Sequence, residues 1–161
     1  MIRPVQREEL AQCAALIRSS FLTVAEEFGF TAENAPRFTV FAVTEERLWR
    51  QMAQEHRTMY GCFEEEGLIG FYSLHRPEAA ESCELNNLCV RPDSRHKGIG
   101  ALLLESAFEN ARKMGCTQME IGIVEENRRL RAWYEAHDFV HTAAKKFDFF
   151  PFICGYMRKE L

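Results

Sequence analysis

The stretch that decides the fold reads Asn87-Leu88-Cys89-Val90-Arg91-Pro92-Asp93-Ser94-Arg95-His96-Lys97-Gly98-Ile99-Gly100-Ala101-Leu102-Leu103-Leu104. Its first part, Leu88 to Val90, is a short apolar run typical of a buried strand. Pro92 ends that strand because proline has no N–H to donate to a β-ladder. After Gly98, apolar residues recur at helical spacing until Gly115, a common C-terminal stop; they are Leu104, Ala107, Phe108 and Ala111. The stretch therefore predicts a strand, a basic loop and a helix in direct succession.

The loop combines two glycines with three basic side chains. Gly98 and Gly100 have no Cβ to keep an anion away from the unpaired N–H groups at the start of the helix. Arg95, His96 and Lys97 add positive charge and donors that suit a pyrophosphate or a ribose phosphate. The loop therefore predicts an anion cradle. The alternative is a basic turn whose glycines only change the direction of the chain.

A second motif lies downstream. The first motif is Val90-x-Pro92-x-x-Arg95-x-x-Gly98-Ile99-Gly100, and the second runs from Asn127 through Trp133-Tyr134 to Asp138-Phe139. In this order and separation they resemble the two motifs of the GNAT superfamily of N-acetyltransferases. Those motifs are Arg/Gln-x-x-Gly-x-Gly/Ala, and Asn followed by an aromatic-Tyr pair and Gly-Phe. Asp138 departs from the family's Gly, at a position that is commonly a left-handed helix end, which Asp tolerates.

The resemblance implies an α/β fold with a mixed, partly parallel central sheet flanked by helices. It implies transfer of an acetyl group from acetyl-CoA, as co-substrate, to a primary amine in a ternary complex, without a metal. The residues it matches to acetyl-CoA binding are Leu88, Cys89, Val90, Arg95, His96, Lys97, Gly98, Ile99, Gly100, Ala101, Asn127 and Tyr134. Of these, 88–90 would pair with pantetheine amides as an added strand, 95–101 would hold the pyrophosphate, and Asn127 would contact the pantetheine arm.

Glu84 is the matched candidate for the base, because members of the family with a catalytic glutamate on this strand carry it at this offset from the position of Arg95. A lysine-like amine has a pKa of about 10.4, so presenting it uncharged at pH 7 costs about 4.6 kcal/mol. Strand alternation puts Glu84 on the same face as Asn86, Leu88 and Val90, provided that no bulge intervenes. Two alternatives remain: Glu84 is a sheet-end carboxylate near solvent, or Glu120 on the neighbouring strand is the base.

Tyr134 is the matched candidate for the acid that meets the departing CoA thiolate. A phenol is a weaker acid than a thiol by about 1.5 pKa units, so the role could be hydrogen bonding as much as proton transfer. The alternative is that Trp133-Tyr134 belongs to an aromatic core stripe. Cys89 could be a nucleophile only with a nearby histidine base, which the sequence does not place.

Composition restricts the class of protein. The 161 residues are 47% hydrophobic and 27% charged, which predicts one ordinary globular domain, 1–161. The net charge of −4 disfavours nucleic-acid binding. The chain has no apolar run that could span a bilayer and no secretory h-region, so a cytoplasmic protein is the simplest expectation. The six cysteines are scattered singly, as expected for reduced core thiols.

The remaining pattern predicts an α/β architecture. A helix follows a first strand near Val5, and Thr44 is a candidate N-cap for a helix through His56. The run from Glu64 to Gly67 predicts a hairpin turn. Strands before and after the 98–115 helix imply a parallel pair with a right-handed crossover. Two closing strands complete the chain.

The segments 28–41 and 147–152, both rich in phenylalanine, are predicted to form the acceptor walls. Acidic residues lie close to them in sequence: Glu26, Glu27, Glu33 and Asp148. Aromatic faces and carboxylates attract an ammonium group, so this pattern favours a small-molecule or peptide amine over an anionic sugar or a nucleic acid. The alternative is that these phenylalanines close the core or a homodimer contact.

Two functions remain open at this point. The first is the acetyltransferase just described. The second is a non-catalytic acyl-CoA-binding sensor or assembly module, in which the cradle is kept and no transfer occurs. The presence of both Glu84 and Tyr134 favours the enzyme.

Overall fold

The structure, a computed structural model, describes all 161 residues. The strands are β1 (Ile2–Pro4), β2 (Thr58–Glu64), β3 (Gly67–His75), β4 (Ser82–Val90), β5 (Gln118–Val124), β6 (Val140–Lys146) and β7 (Ile153–Glu160). The helices are α1 (Leu10–Phe28), α2 (Thr39–Ala42), α3 (Glu45–Ala53), α4 (Ile99–Lys113) and α5 (Arg128–Glu135). None of the helices is long and apolar enough to cross a membrane.

The seven strands form one mixed sheet in the order β1-β2-β3-β4-β5-β7-β6. Only β4 and β5 are parallel, and α4 connects them as the sequence predicts. The hairpin predicted at 64–67 joins β2 to β3, with Gly67 at a φ of 104°. Thr44 caps α3 by accepting a hydrogen bond from the N–H of Arg47 at 3.0 Å. That helix ends at Ala53, before His56.

Helices cover both faces of the sheet. The apolar side of α4 packs on one face, together with Cys83 and Leu85 of β4. The buried stripe of α1 and Leu48 of α3 pack on the other face, against Phe71 of β3 and Cys89 of β4. The central strands are therefore buried on both sides, which holds the 87–104 stretch between two cores.

A bulge interrupts β4 at Asn87. Ser73 of β3 pairs with Asn86, but Phe71 pairs with Cys89, so two steps along β3 correspond to three along β4. Asn87 takes up the extra residue with a φ of 55°. Asparagine tolerates this left-handed conformation better than most residues. The bulge reverses which side chains point to which face from this position onward.

The shared face expected for Glu84, Asn86, Leu88 and Val90 is therefore wrong for its second half. Glu84 and Asn86 point to the face covered by α1 and α3, as does Cys89. Leu88 and Val90 pack instead against the core under α4. Residues before and after the bulge thus line different sides of the sheet.

The sheet opens between β4 and β5. The two strands pair only over Ser82–Glu84 and Gln118–Glu120. Beyond that point the rest of β4 pairs only with β3, while β5 stays paired with β7 up to Val124. The diverging strands leave a wedge in the middle of the sheet, bounded by backbone that has no strand partner on that side.

The two phenylalanine-rich segments meet, but they close a third core. Phe30, Phe38 and Phe152 are buried together, and the ring centroids of Phe30 and Phe152 lie 4.8 Å apart. Phe149 stays exposed at the edge. The expectation of open acceptor walls is therefore wrong for these three buried rings, which close the core, the alternative that the sequence analysis also gave.

Candidate active site

A groove of about 450 Å³ enters the wedge between β4 and β5. Residues from α1, β4, the 94–101 segment and α5 form its walls. From β4 onward they include Leu88, Cys89, Val90, Arg95, His96, Gly98, Ile99, Gly100, Ala101, Asn127, Trp133 and Tyr134. The structure thus brings together every residue that the sequence analysis matched to acetyl-CoA binding except Lys97, which is exposed outside the groove lining.

The start of α4 forms one end of the groove. Gly98 is the N-cap and has a φ of 84°, a conformation that favours glycine. The first helical hydrogen bond runs from the N–H of Leu102 to the carbonyl of Gly98, so the N–H groups of Ile99, Gly100 and Ala101 precede it. These N–H groups and the positive end of the helix dipole favour an anion.

Gly100 lies close to Trp133 and Val90, and its lack of a side chain leaves this end of the groove open. A Cβ at this position would lie 3.4 Å from Trp133 Cζ2 and 3.9 Å from a methyl group of Val90. Anything larger than a methyl group would therefore press on the indole ring or extend into the groove.

The Arg95 side chain is held by α1. Its Nη2 donates to the carbonyl of Ser20 at 2.9 Å, and its Nη1 donates to Thr23 Oγ1 at 3.1 Å. Its Nε donates to the carbonyl of Val90 at 3.2 Å. The guanidinium thus joins the loop to α1 and brings its charge to the groove wall, while the exposed His96, at a φ of 62°, follows it in the loop.

Asn127 and Tyr134 begin and end the α5 wall. Asn127 Oδ1 accepts a hydrogen bond from the N–H of Leu130 at 3.2 Å, which caps the helix. Tyr134 is only 6% exposed and packs edge-on against Trp133 and Phe139. Burial, helped by the nearby Cys89, raises the pKa of Tyr134 above its ordinary value. Its hydroxyl therefore stays protonated and can donate a hydrogen bond into the groove.

Cys89 faces the groove as a thiol. Burial raises the pKa of Cys89 to about 12, against smaller opposing effects of Ser20 and Arg95. The groove lining includes one histidine, His96 in the loop, and that residue is exposed. A thiolate at this position is therefore disfavoured.

Glu84 lies at the narrow end of the wedge, directly beside Glu120 in the parallel register. Its Oε2 is 3.3 Å from Nδ1 of His75, and its side chain is 44% exposed. Glu120 is held by Arg158 at 2.7 Å. Of the two carboxylates, Glu84 is thus the one without an arginine partner.

A second, polar pocket of about 220 Å³ lies on the α1 and α3 face of the sheet. Its lining residues are Arg37, Thr39, Ala42, Val43, Arg47, Gln51, Arg57, Asn86 and Asn87. The next residue along β4, Leu88, already lines the groove. Asn87 of the pocket and Leu88 of the groove are thus neighbours along β4.

The sequence analysis missed this pocket. One local signal was present, because Arg47 and Gln51 are four residues apart and so share one side of α3. Arg37, Arg57 and Asn86 come from three other segments, which only the tertiary fold brings together. None of the four acids expected near the acceptor lines the pocket, and Glu27 instead pairs with Arg129 at 3.2 Å.

Comparison with known proteins gives the class of protein. The sequence profile of the Acetyltransferase (GNAT) family matches residues 23–139, and the chain belongs to that family. A sequence search of curated proteins gives no significant match.

Solved structures of N-acetyltransferases share the fold. PaiA N-acetyltransferase from Thermoplasma acidophilum, in complex with coenzyme A, is 21% identical with a TM-score of 0.82, over 100% of this chain and 98% of that one. Ribosomal-protein-alanine N-acetyltransferase from Brucella melitensis is 19% identical, with a TM-score of 0.75 over 100% and 99%. The ribosomal-protein-S18-alanine N-acetyltransferase from Escherichia coli is 16% identical, with a TM-score of 0.72 over 99% and 92%. The mixed sheet with one parallel pair is thus the fold of this family.

Proposed function

We propose that the protein transfers an acetyl group from acetyl-CoA to the nitrogen of a primary amine, with both substrates bound at once. The observation that carries the proposal is the groove, which is lined by the start of α4 and by Tyr134, together with the polar pocket, whose Asn87 is the chain neighbour of Leu88 in the groove. One cavity suits a phosphorylated thioester, and the other is a separate chamber for an acceptor.

The groove has the features that CoA requires. The N–H groups at the start of α4 and the absence of a Cβ at Gly98 and Gly100 suit the pyrophosphate. Leu88, Val90 and Ile99 supply an apolar middle section for the pantetheine arm. The Val90 carbonyl already accepts from Ser20 and Arg95, so pantetheine amides would use other backbone groups of 88–90. The coenzyme A in the Thermoplasma relative is consistent with this assignment.

When bound, acetyl-CoA supplies an activated acetyl group as a thioester. The acceptor nitrogen forms a bond to the acetyl carbon, the carbon–sulfur bond breaks, and the nitrogen loses one proton. Glu84 is the residue to receive that proton, directly or through water, because it lies at the narrow end of the wedge and no arginine holds it. Two residues of strand, about 7 Å, separate it from Asn86 in the acceptor pocket.

Tyr134 faces the leaving sulfur as a hydrogen-bond donor. Its raised pKa keeps the phenol protonated at neutral pH, while making complete proton donation to a thiolate unfavourable. The hydroxyl therefore stabilises the charge that develops on sulfur, and the thiolate takes its proton from solvent when CoA leaves.

Transfer is direct, without an acetyl-enzyme. Cys89 is the one cysteine that lines the groove, and its pKa of about 12 leaves almost no thiolate at neutral pH. The single histidine in the lining is His96, which sits in the exposed loop at the opposite end. A cysteine-based covalent step would need a base beside the thiol.

The test is a panel of primary amines incubated with acetyl-CoA and the purified protein. We expect amine-dependent release of free CoA thiol and an equal amount of N-acetylated amine, measured by mass spectrometry. Stabilisation by CoA without thiol release from any amine would refute the enzyme and leave the binding module. A lack of CoA binding would refute both.

A further inference from the structure

The charged residues that line the polar pocket are all arginines. Arg37, Arg47 and Arg57 are among its nine lining residues, and no aspartate or glutamate is. Arg57 pairs through Nε with Glu55 at 2.7 Å, and Arg37 lies over the ring of Phe149. Arg47 has no ion-pair partner among the protein's salt bridges. This local charge is opposite to the net charge of −4 of the whole chain.

Two amide side chains in the same pocket also lack partners. Gln51 is only 8% exposed, and its Oε1 accepts no hydrogen bond from any donor in the protein. The Nδ2 of Asn86 is buried and has no acceptor. Buried polar atoms are nearly always satisfied, so two orphans in one small cavity indicate that a ligand completes them. This observation is independent of the arginines and points to the same cavity.

The positions of these groups define how a ligand would lie. Arg47 and Gln51 project from the same side of α3, whereas Asn86 and Asn87 lie across the pocket on β4. On the β4 side, Asn87 is followed in the chain by Leu88 of the groove, so we place the reacting amine at that side. The other end of the ligand then meets guanidinium groups, which bind planar anions through paired N–H donors.

We propose, resting on the acetyltransferase function above, that the acceptor is a small primary amine carrying an anionic group, a carboxylate or a phosphate, at the end away from the amine. This reverses the charge expected from the sequence, where acidic residues near the phenylalanines suggested attraction of an ammonium group. The pocket volume of about 220 Å³ suits a small molecule. The Arg37 guanidinium stacked on Phe149 forms its outer edge.

The experiment compares matched amines that differ only in the remote group. β-Alanine, 4-aminobutanoate and 2-aminoethylphosphonate carry an anion, and β-alaninamide and 4-aminobutanamide are neutral counterparts. We expect kcat/KM, expressed per free-amine concentration, to be about 10- to 100-fold higher for the anionic members, the range of charge-assisted hydrogen bonds. The carboxylate and phosphonate arms distinguish the two sources of anionic charge.

Variants assign any preference to the pocket. Arg47→Gln and Arg37→Gln each remove one lining charge, while Arg50→Gln removes the same charge from α3 outside the pocket. We expect the first two to abolish most of the preference for anionic amines without changing CoA affinity, and the third to keep it. The Arg47 side chain is exposed and plays no part in capping α3, so its loss does not threaten the fold.

The outcomes are separable from those of the proposed function. Equal turnover of anionic and neutral amines, a preference that survives in Arg47→Gln and Arg37→Gln, or a preference for protein N-termini would overturn the inference while leaving the acetyltransferase intact. If no amine is turned over, calorimetry of the CoA-loaded protein with β-alanine and 2-aminoethylphosphonate decides. Binding that Arg47→Gln loses and Arg50→Gln keeps supports the anion pocket, and absence of binding refutes it.

Discussion

Replacing Gly100 by valine should remove CoA binding while the fold persists. A Cβ at this position already lies 3.4 Å from Trp133 Cζ2 and 3.9 Å from Val90 Cγ2. The methyl groups of valine extend about 1.5 Å further, so they must displace the indole ring or occupy the groove beside the N–H groups of α4. Either movement closes the site for the pyrophosphate.

The size of the effect can be worked out. At a CoA concentration about 100 times its Kd, binding stabilises the wild-type protein by about 2.7 kcal/mol. For a chain of this length that corresponds to a rise in Tm of roughly 5 to 10 °C. Gly100→Val should lose nearly all of this rise. Pantetheine, which lacks the pyrophosphate, should raise the Tm of the wild type much less than CoA does.

Gly100→Ala is the matched control. Its single methyl group makes an ordinary contact with Trp133. Alanine is favoured over glycine in a helix by up to about 1 kcal/mol, so the ligand-free variant should be at least as stable as the wild type. Thermal unfolding with and without ligand provides the assay. A full CoA-induced rise in the Tm of Gly100→Val, or equal rises in Tm with pantetheine and CoA, would contradict pyrophosphate binding at the start of α4.

Three further predictions concern chemistry and pH. Tyr134→Phe keeps the ring contacts and removes only the hydroxyl, so it should lower kcat about 10-fold or more with little change in the KM for acetyl-CoA. An unchanged kcat would indicate that Tyr134 only packs in the core. Glu84→Gln should lower the rate at pH 7, and the rate should recover at higher pH, where the amine loses its proton unaided. Glu120→Gln should leave the rate at pH 7 unchanged. A rate defect of Glu84→Gln that is independent of pH would indicate that Glu84 positions the substrate. Burial raises the pKa of Cys83 and Cys89 to about 12, so these thiols keep their protons when folded. Their contribution to the free energy of unfolding should therefore be fully present below about pH 9. It should fall towards pH 12, as the thiols of the unfolded chain ionise, by up to about 1.4 kcal/mol per pH unit for each thiol. A midpoint of chemical denaturation that stayed constant across that range would contradict this prediction.

The sequence predicted the strand, turn and helix start at one end of the groove well because these parts are neighbours in the chain. A strand end at Pro92, a turn at Gly98 and a helix start at Ile99 lie within a few residues, and local rules decide each of them. The side-chain role of Arg95 was not predictable in the same way. Its partners Ser20 and Thr23 lie on α1, so the guanidinium could be placed only once the two segments had packed.

The bulge at Asn87 and the polar pocket depend on longer-range geometry. The bulge arises because one residue of β3, Tyr72, opposes two residues of β4, Asn87 and Leu88, and the sequence of a single strand does not determine that register. The pocket gathers Arg37 and Arg57 from two loops and Arg47 from α3, and these segments share no sequence period. The phenylalanine-rich segments were expected to form acceptor walls or to close the core, and the burial of Phe30 against Phe152, which packing decides, selects the core for these two rings.

Direct transfer between two bound substrates is tested most directly by initial-rate kinetics in which acetyl-CoA and the acceptor are varied together. The structure provides two separate cavities, lined by successive residues of β4, and a Cys89 thiol whose raised pKa opposes nucleophilic attack. We therefore expect double-reciprocal lines that intersect, and a Cys89→Ala variant that keeps kcat within about threefold, because the thiol takes no part in the transfer. Parallel lines, together with an acetylated protein that accumulates when acceptor is omitted, would contradict the account.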